Sequence, residues 1–147
     1  MENFTGVFGI LIGLGGIWFS IKFLKLYFKV KGWNRVDARV VSKEISIHEK
    51  YSTTRTPYKL NVTYNYVFNG SEHSGSKIYL AELLGGPANH MKSDAEKRLE
   101  RINENMTIYV DPNNPKESVM YCEGAGLYYF ILVMGVFALL FGITKFV

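Results

Sequence analysis

Two uncharged runs, residues 3–21 and 124–144, stand at either end of this chain and constrain it more than anything between them. They hold 19 and 21 residues. A helix needs roughly 20 apolar residues to cross about 30 Å of hydrocarbon. The pattern predicts membrane-spanning helices over residues 3–28 and 124–145, flanking a soluble domain over residues 33–122. The lipid bilayer is thus the first expected partner.

The charge distribution supports this division. The chain carries +4 overall, yet residues 30–123 hold 13 Lys or Arg against 12 Asp or Glu. The excess sits at the membrane edge, in Lys22, Lys25, Lys29 and Lys31, continued by Arg35 and Arg39. No one-faced basic concentration of the kind that binds nucleic acid is present. A secretory signal has positives before its apolar core, whereas here Glu2 precedes the run and the lysines follow, so the segment reads as a retained anchor. The positive-inside rule places the Lys-rich side, and the middle domain with it, in the cytoplasm.

In the first run Gly6, Gly9, Gly13, Gly16 and Ser20 recur at intervals of three and four, which is one helix face. Gly135, Ala138 and Gly142 repeat the spacing in the second run. Helices in lipid associate by close van der Waals packing, which small residues permit. An antiparallel hairpin would bring Gly9 near Gly142 and Gly16 near Gly135. The same stripe also suits a homo-oligomer or another membrane protein. Neither apolar core contains a carboxylate, a His or a basic residue, which argues against an ion or proton path. Trp18, Tyr27, Trp33, Tyr121, Tyr128 and Tyr129 are interfacial anchors by type.

The middle reads as strands. A long first strand runs from Asp37, with its alternation slipping midway. Residues 58–68 then alternate apolar and polar with a period of two, the mark of a half-buried strand. Asn69-Gly70 is a type I′ hairpin signal, with the returning strand through Ser76, Ile78 and Leu80. Ser93 and Glu96 have capping-box spacing, so a helix follows, with Ala95, Leu99 and Ile102 on one face. Met106 to Val110 and Ser118 to Cys122 complete five strands. The expected fold is α+β: two transmembrane helices flanking a five-stranded antiparallel β domain, an OB-like barrel or an open sheet, with one helix between strands three and four.

Three segments carry a family resemblance. Residues 33–40 followed by Tyr64-Asn65-Tyr66-Val67-Phe68-Asn69-Gly70, and then Tyr109-Val110-Asp111-Pro112-Asn113-Asn114-Pro115, resemble the bacterial domain-of-unknown-function family 3592 over about residues 33–122. The resemblance implies a membrane-anchored β domain, usually with one span on each side, in the bacterial cytoplasmic membrane. It supplies no catalytic residues.

No reactive constellation stands out. His48, His73 and His90 lack ligand spacing, so no metal is expected, and no cofactor motif is found. Ser74-Gly75-Ser76-Lys77 matches S-x-x-K, but that pair needs a helical turn and here begins a strand. Cys122 is the single cysteine, which excludes an internal disulfide. Tyr51, Tyr64, Tyr66 and Tyr79 exceed what a small core can hide and are expected to form a partner surface. The chain therefore reads as a non-enzymatic accessory or interaction protein. Its alternatives are an immunity protein against a membrane-targeted toxin and a lipid-handling module.

Overall fold

The computed structural model describes residues 2–47, 58–85 and 89–144. It divides into two compact units, residues 1–29 with 123–147, and residues 30–122.

The first unit is a pair of helices. Helix α1 spans Glu2–Lys31 and α4 spans Ala125–Ile143. Two spans, Gly6–Lys31 and Ala125–Ile143, are long and apolar enough to cross a membrane by length and composition. Only 22% and 11% of their apolar windows are buried. The core helix of a soluble protein would hide most of such a surface, so these helices present an uncommonly large exposed apolar area. The expected end of the first helix at residue 28 falls short, because the helix continues through the lysines. Lys145 lies outside the described residues.

The two helices meet through their small residues. A Cβ on Gly13 would lie 2.7 Å from both the Gly135 carbonyl oxygen and the Leu139 amide nitrogen. One on Gly142 would lie 2.8 Å from the Gly6 carbonyl oxygen, and one on Gly9 3.2 Å from the Gly142 Cα. Further along, Phe23 stacks on Tyr128 with ring centroids 3.4 Å apart. Early residues of α1 meet late residues of α4, so the pair is antiparallel. Backbone contact at this range is open only to residues without a side chain.

The second unit is built on an antiparallel sheet. Strands β1 (Asn34–Ile47), β2 (Tyr58–Phe68), β3 (Ser71–Gly75), β5 (Asn105–Val110) and β6 (Ser118–Val119) lie in the order β3-β2-β1-β5-β6. A two-residue β4, Asn89–His90, pairs with β2 and was not foreseen. Asn69 and Gly70 turn the β2–β3 hairpin with φ of 51° and 77°, the double positive φ that a type I′ turn requires. In β1 the register with β2 shifts between Val40 and Ser42, where the sequence alternation slips. Val41 is the extra residue of this bulge.

The sheet is open, so the barrel alternative is not realised. β3 and β6 stand at its ends and are too short to form a closing ladder. Those ends are linked instead by a parallel bridge between Tyr79 and Tyr121, with the Met120 and Tyr121 amides donating to the Lys77 and Ile78 carbonyls.

Between β3 and β5 the chain departs from the expected single helix. β3 stops at Gly75, and Leu80 begins a short helix α2 (Leu80–Leu83) instead of ending a strand. Glu82 accepts from the Ile78 and Tyr79 amides at 3.1 and 3.2 Å, holding the start of that helix. Helix α3 spans Lys92–Glu100 with Met91 at its N-cap and no side-chain cap. Ser93 therefore sits inside the first turn and does not open the helix, because the Met91 carbonyl already accepts from the Asp94 and Ala95 amides. Gly86 and Pro87 lie outside the described residues.

The core lies on one face of the sheet. Leu60, Val62, Tyr64, Tyr66 and Phe68 of β2 join Ala38 of β1, with Ile108 and Val110 of β5. Ala95 and Ile102 are buried in the same cluster, and Leu99 packs against it. Lys43 Nζ donates to the Leu99 and Ile102 carbonyls, satisfying groups that the end of α3 leaves unpaired.

Candidate functional site

The tyrosines expected to form an exposed partner surface do not form one. Tyr64 and Tyr66 are 0% and 2% exposed, because both fall on the core-facing positions of β2. Tyr79 is half-buried, stacked on Tyr121 and within 3.1 Å of the Arg98 guanidinium. Tyr51 lies outside the described residues, as does His48. Of the anchors expected by type, Trp33 is buried and Tyr121 is occupied by Tyr79.

The buried hydroxyls tie distant motifs together. Tyr66 donates to the Pro115 carbonyl at 2.6 Å. Tyr64 donates to the Lys77 carbonyl at 3.0 Å and lies 3.1 Å from Ser118 Oγ. With the tyrosine proton on Lys77, Ser118 is the donor of that pair. Burial pushes the Tyr64 hydroxyl well above its ordinary pKa, and the Ser118 hydrogen bond opposes that shift. Asp111 is buried and accepts from the Asn113 amide at 2.9 Å, an Asx turn. The Asn114 and Glu117 amides continue the turn onto the Asp111 and Asn114 carbonyls. The Asp-Pro-Asn-Asn-Pro segment is thus a locked loop, and Tyr66 is its latch. A Cβ at Gly75 would run into Ser118 Oγ and the Tyr64 ring, so the glycine of Ser74-Gly75-Ser76-Lys77 serves packing.

The opposite face of the sheet is open to solvent. A shallow groove crosses it, lined by Asp37, Arg39 and Val41 of β1, Asn65 and Val67 of β2, and Glu72 of β3, with Glu104 and Thr107 at the β5 side. Arg39 Nη2 and Nε reach Glu104 Oε1 at 2.9 and 3.3 Å. Thr107 Oγ1 donates to Asp37 Oδ1 at 3.1 Å. Three carboxylates stand against one guanidinium in the lining. Two valines stand out among these polar groups, Val41 at 62% and Val67 at 61% exposure. Val41 is available there because the bulge removes it from the regular alternation. Sequence reasoning missed this face. Its signal was present in the polar alternates of β2, which read equally well as a merely solvated surface.

Among the described residues no group of three or more His, Cys, Asp or Glu is placed to hold a metal ion. His73 stacks on Tyr66, with ring centroids 5.6 Å apart. In the groove Arg39 is paired with Glu104, and the lining mixes polar side chains with the two exposed valines.

The model of a domain of unknown function, DUF3592, matches residues 36–124. The chain belongs to the DUF3592 family. The match begins in β1, runs through β6 and stops at Gly124, just before α4, so the family is carried by the β unit. The Tyr64–Gly70 and Tyr109–Pro115 segments lie within it, and the hydrogen bond from Tyr66 to Pro115 makes them two halves of one structural contact in this DUF3592 chain. No curated protein matches the chain.

Proposed function

We propose that this DUF3592 chain is a non-enzymatic, membrane-anchored interaction protein whose β unit binds a protein partner at the membrane surface. The observation that carries the proposal is the solvent-facing groove, with two exposed valines set among three carboxylates and one guanidinium. Exposed apolar residues framed by charge are what a docking surface needs: apolar contact at the centre and polar groups that fix register at the rim. The carboxylate excess favours a partner that brings basic side chains. The small-residue faces of α1 and α4 are engaged with each other, which supports their use as an anchor. In this proposal both helices span the bacterial cytoplasmic membrane, and the Lys-rich side with the β unit is cytoplasmic.

The test is affinity purification of the full chain from its own cells in mild detergent, comparing wild type with V41S/V67S, which removes the apolar contact, and with E72K, which reverses one of the groove's carboxylates. The expected result is a partner recovered with the wild type and lost with both variants, while their melting temperatures are unchanged. Equal recovery with all three, or a partnerless monomer throughout, overturns the proposal.

A further inference from the structure

Strand β1 outlasts one of its two neighbours. Residues 34–39 pair with β5, and the last backbone bond on that side runs from the Val40 amide to the Glu104 carbonyl at 2.8 Å. Beyond the bulge, residues 42–47 pair with β2 alone. Register fixes where the other backbone groups point. Phe68 and Ser71 close the two-residue turn as a hydrogen-bonded pair. By alternation Thr63, Asn61 and Lys59 of β2 then turn their amides and carbonyls toward β1, where Ser42, Glu44 and Ser46 meet them. The N–H and C=O groups of Lys43, Ile45 and Ile47 therefore point out of the sheet edge. No backbone partner meets them among the described residues.

An unpaired edge bearing exposed aliphatic side chains is a template for another strand. Ile47 is 57% exposed, and the Lys43 ammonium is turned onto the Leu99 and Ile102 carbonyls. The residues of the edge select the strand that fits. Two copies paired antiparallel about a two-fold axis set one residue opposite itself. With the axis at Ile45, Lys43 faces Ile47 of the second copy and Glu44 faces its Ser46. Each hydrogen-bonded pair exchanges two bonds, so every outward amide and carbonyl of Lys43, Ile45 and Ile47 is satisfied. The Lys43 stem covers the exposed Ile47. Ser46 Oγ accepts from Asn61 Nδ2 at 2.8 Å and keeps its own proton for the Glu44 carboxylate. An axis at Lys43 or Glu44 would oppose like charges, and one at Ser46 or Ile47 would run past the end of β1.

We propose that residues 43–47 of β1 pair with the same residues of a second copy, giving a two-fold dimer with one sheet continuous through both β units. The edge is separate from the groove, and the inference does not depend on the membrane proposal.

The experiment reads the oligomeric state of the full chain in mild detergent by light scattering across a dilution series. Wild type is expected to dimerise. Ile47→Lys sets like charges opposite Lys43 at two places in the interface and is expected to weaken the dimer by about tenfold. Ile47→Glu faces the same ammonium with a carboxylate and is expected to keep the dimer. Where either variant fails to fold, E44C/S46C/C122S gives a second reading. Positions 44 and 46 oppose each other as a non-hydrogen-bonded pair, whose spacing suits a disulfide, so oxidation is expected to yield a reducible covalent dimer. A wild type that is monomeric at every dilution overturns the inference, as does a monomer whose β1 edge is occupied by a different protein. Equal effects of Lys and Glu at position 47, or no covalent dimer on oxidation, also overturn it, since the contact would then lie on another surface or in another register.

Discussion

Tyr66 shows how a single hydroxyl can organise a domain. Its bond to the Pro115 carbonyl holds the Asp111 loop against the far end of β2, two segments far apart in sequence. Tyr66→Phe removes the donor and leaves a part-buried carbonyl unpaired, which costs about 1–2 kcal/mol. The expected outcome is a melting temperature lowered by several degrees in detergent, followed by circular dichroism. Tyr64 predicts a pH dependence. Its folded pKa is raised by burial, so its contribution to stability is fully present below the unfolded tyrosine value of about 10. Above that, the unfolded chain releases a proton that the folded chain retains, and stability falls as pH rises. Denaturant melts of wild type across alkaline pH are expected to show this decline, and Tyr64→Phe to show less of it. These tyrosines were legible in the sequence as strand residues. Their burial was not, because the aromatic excess was judged against a core of unknown size.

At the scale of elements, the helix pair and the hairpin turns depend on glycine where the backbone leaves no alternative. Gly13→Leu would drive a side chain into the Gly135 carbonyl and the Leu139 backbone. Backbone atoms cannot swing aside, so a loss of about 1–3 kcal/mol or more is expected, read as a lower melting temperature of the detergent-solubilised chain. Gly15 is the control: a Cβ there meets nothing within 4 Å, and Gly15→Ala is expected to leave the melt within about 0.5 kcal/mol of wild type. The stripe at intervals of three and four announced this packing from sequence, and Gly9 does lie against Gly142 as that spacing required. α2 and β4 gave no such signal. Four and two residues are too few for periodicity to register, and α2 begins where Glu82 catches two amides, a contact local in sequence yet set by where β3 ends. The Ser93–Glu96 spacing misled for the complementary reason, since a backbone carbonyl had already taken the position that a capping side chain would fill.

For the whole molecule, the exposed apolar surface of the helical unit and the folded β unit predict distinct behaviours. The chain is expected to remain in vesicles after carbonate washing, and release into the supernatant counts against both spans. A reporter fused after Val147 and active only when exported is expected to be active, as the lysine distribution requires. The sequence by itself determined the division into two apolar helices and one β unit, the period-two strand β2, the hairpin at Asn69-Gly70 and the family. Those features are written in local periodicity, in turn chemistry and in short motifs, which act over a few residues and need no knowledge of neighbours. Tertiary structure alone decided that the sheet stays open, that Tyr66 latches the Asp-Pro-Asn-Asn-Pro loop, and that the groove rests on the polar alternates with Val41 turned out by a bulge. Each of these depends on contacts between residues distant along the chain, where strand length, register and close packing choose among arrangements that local pattern leaves equal.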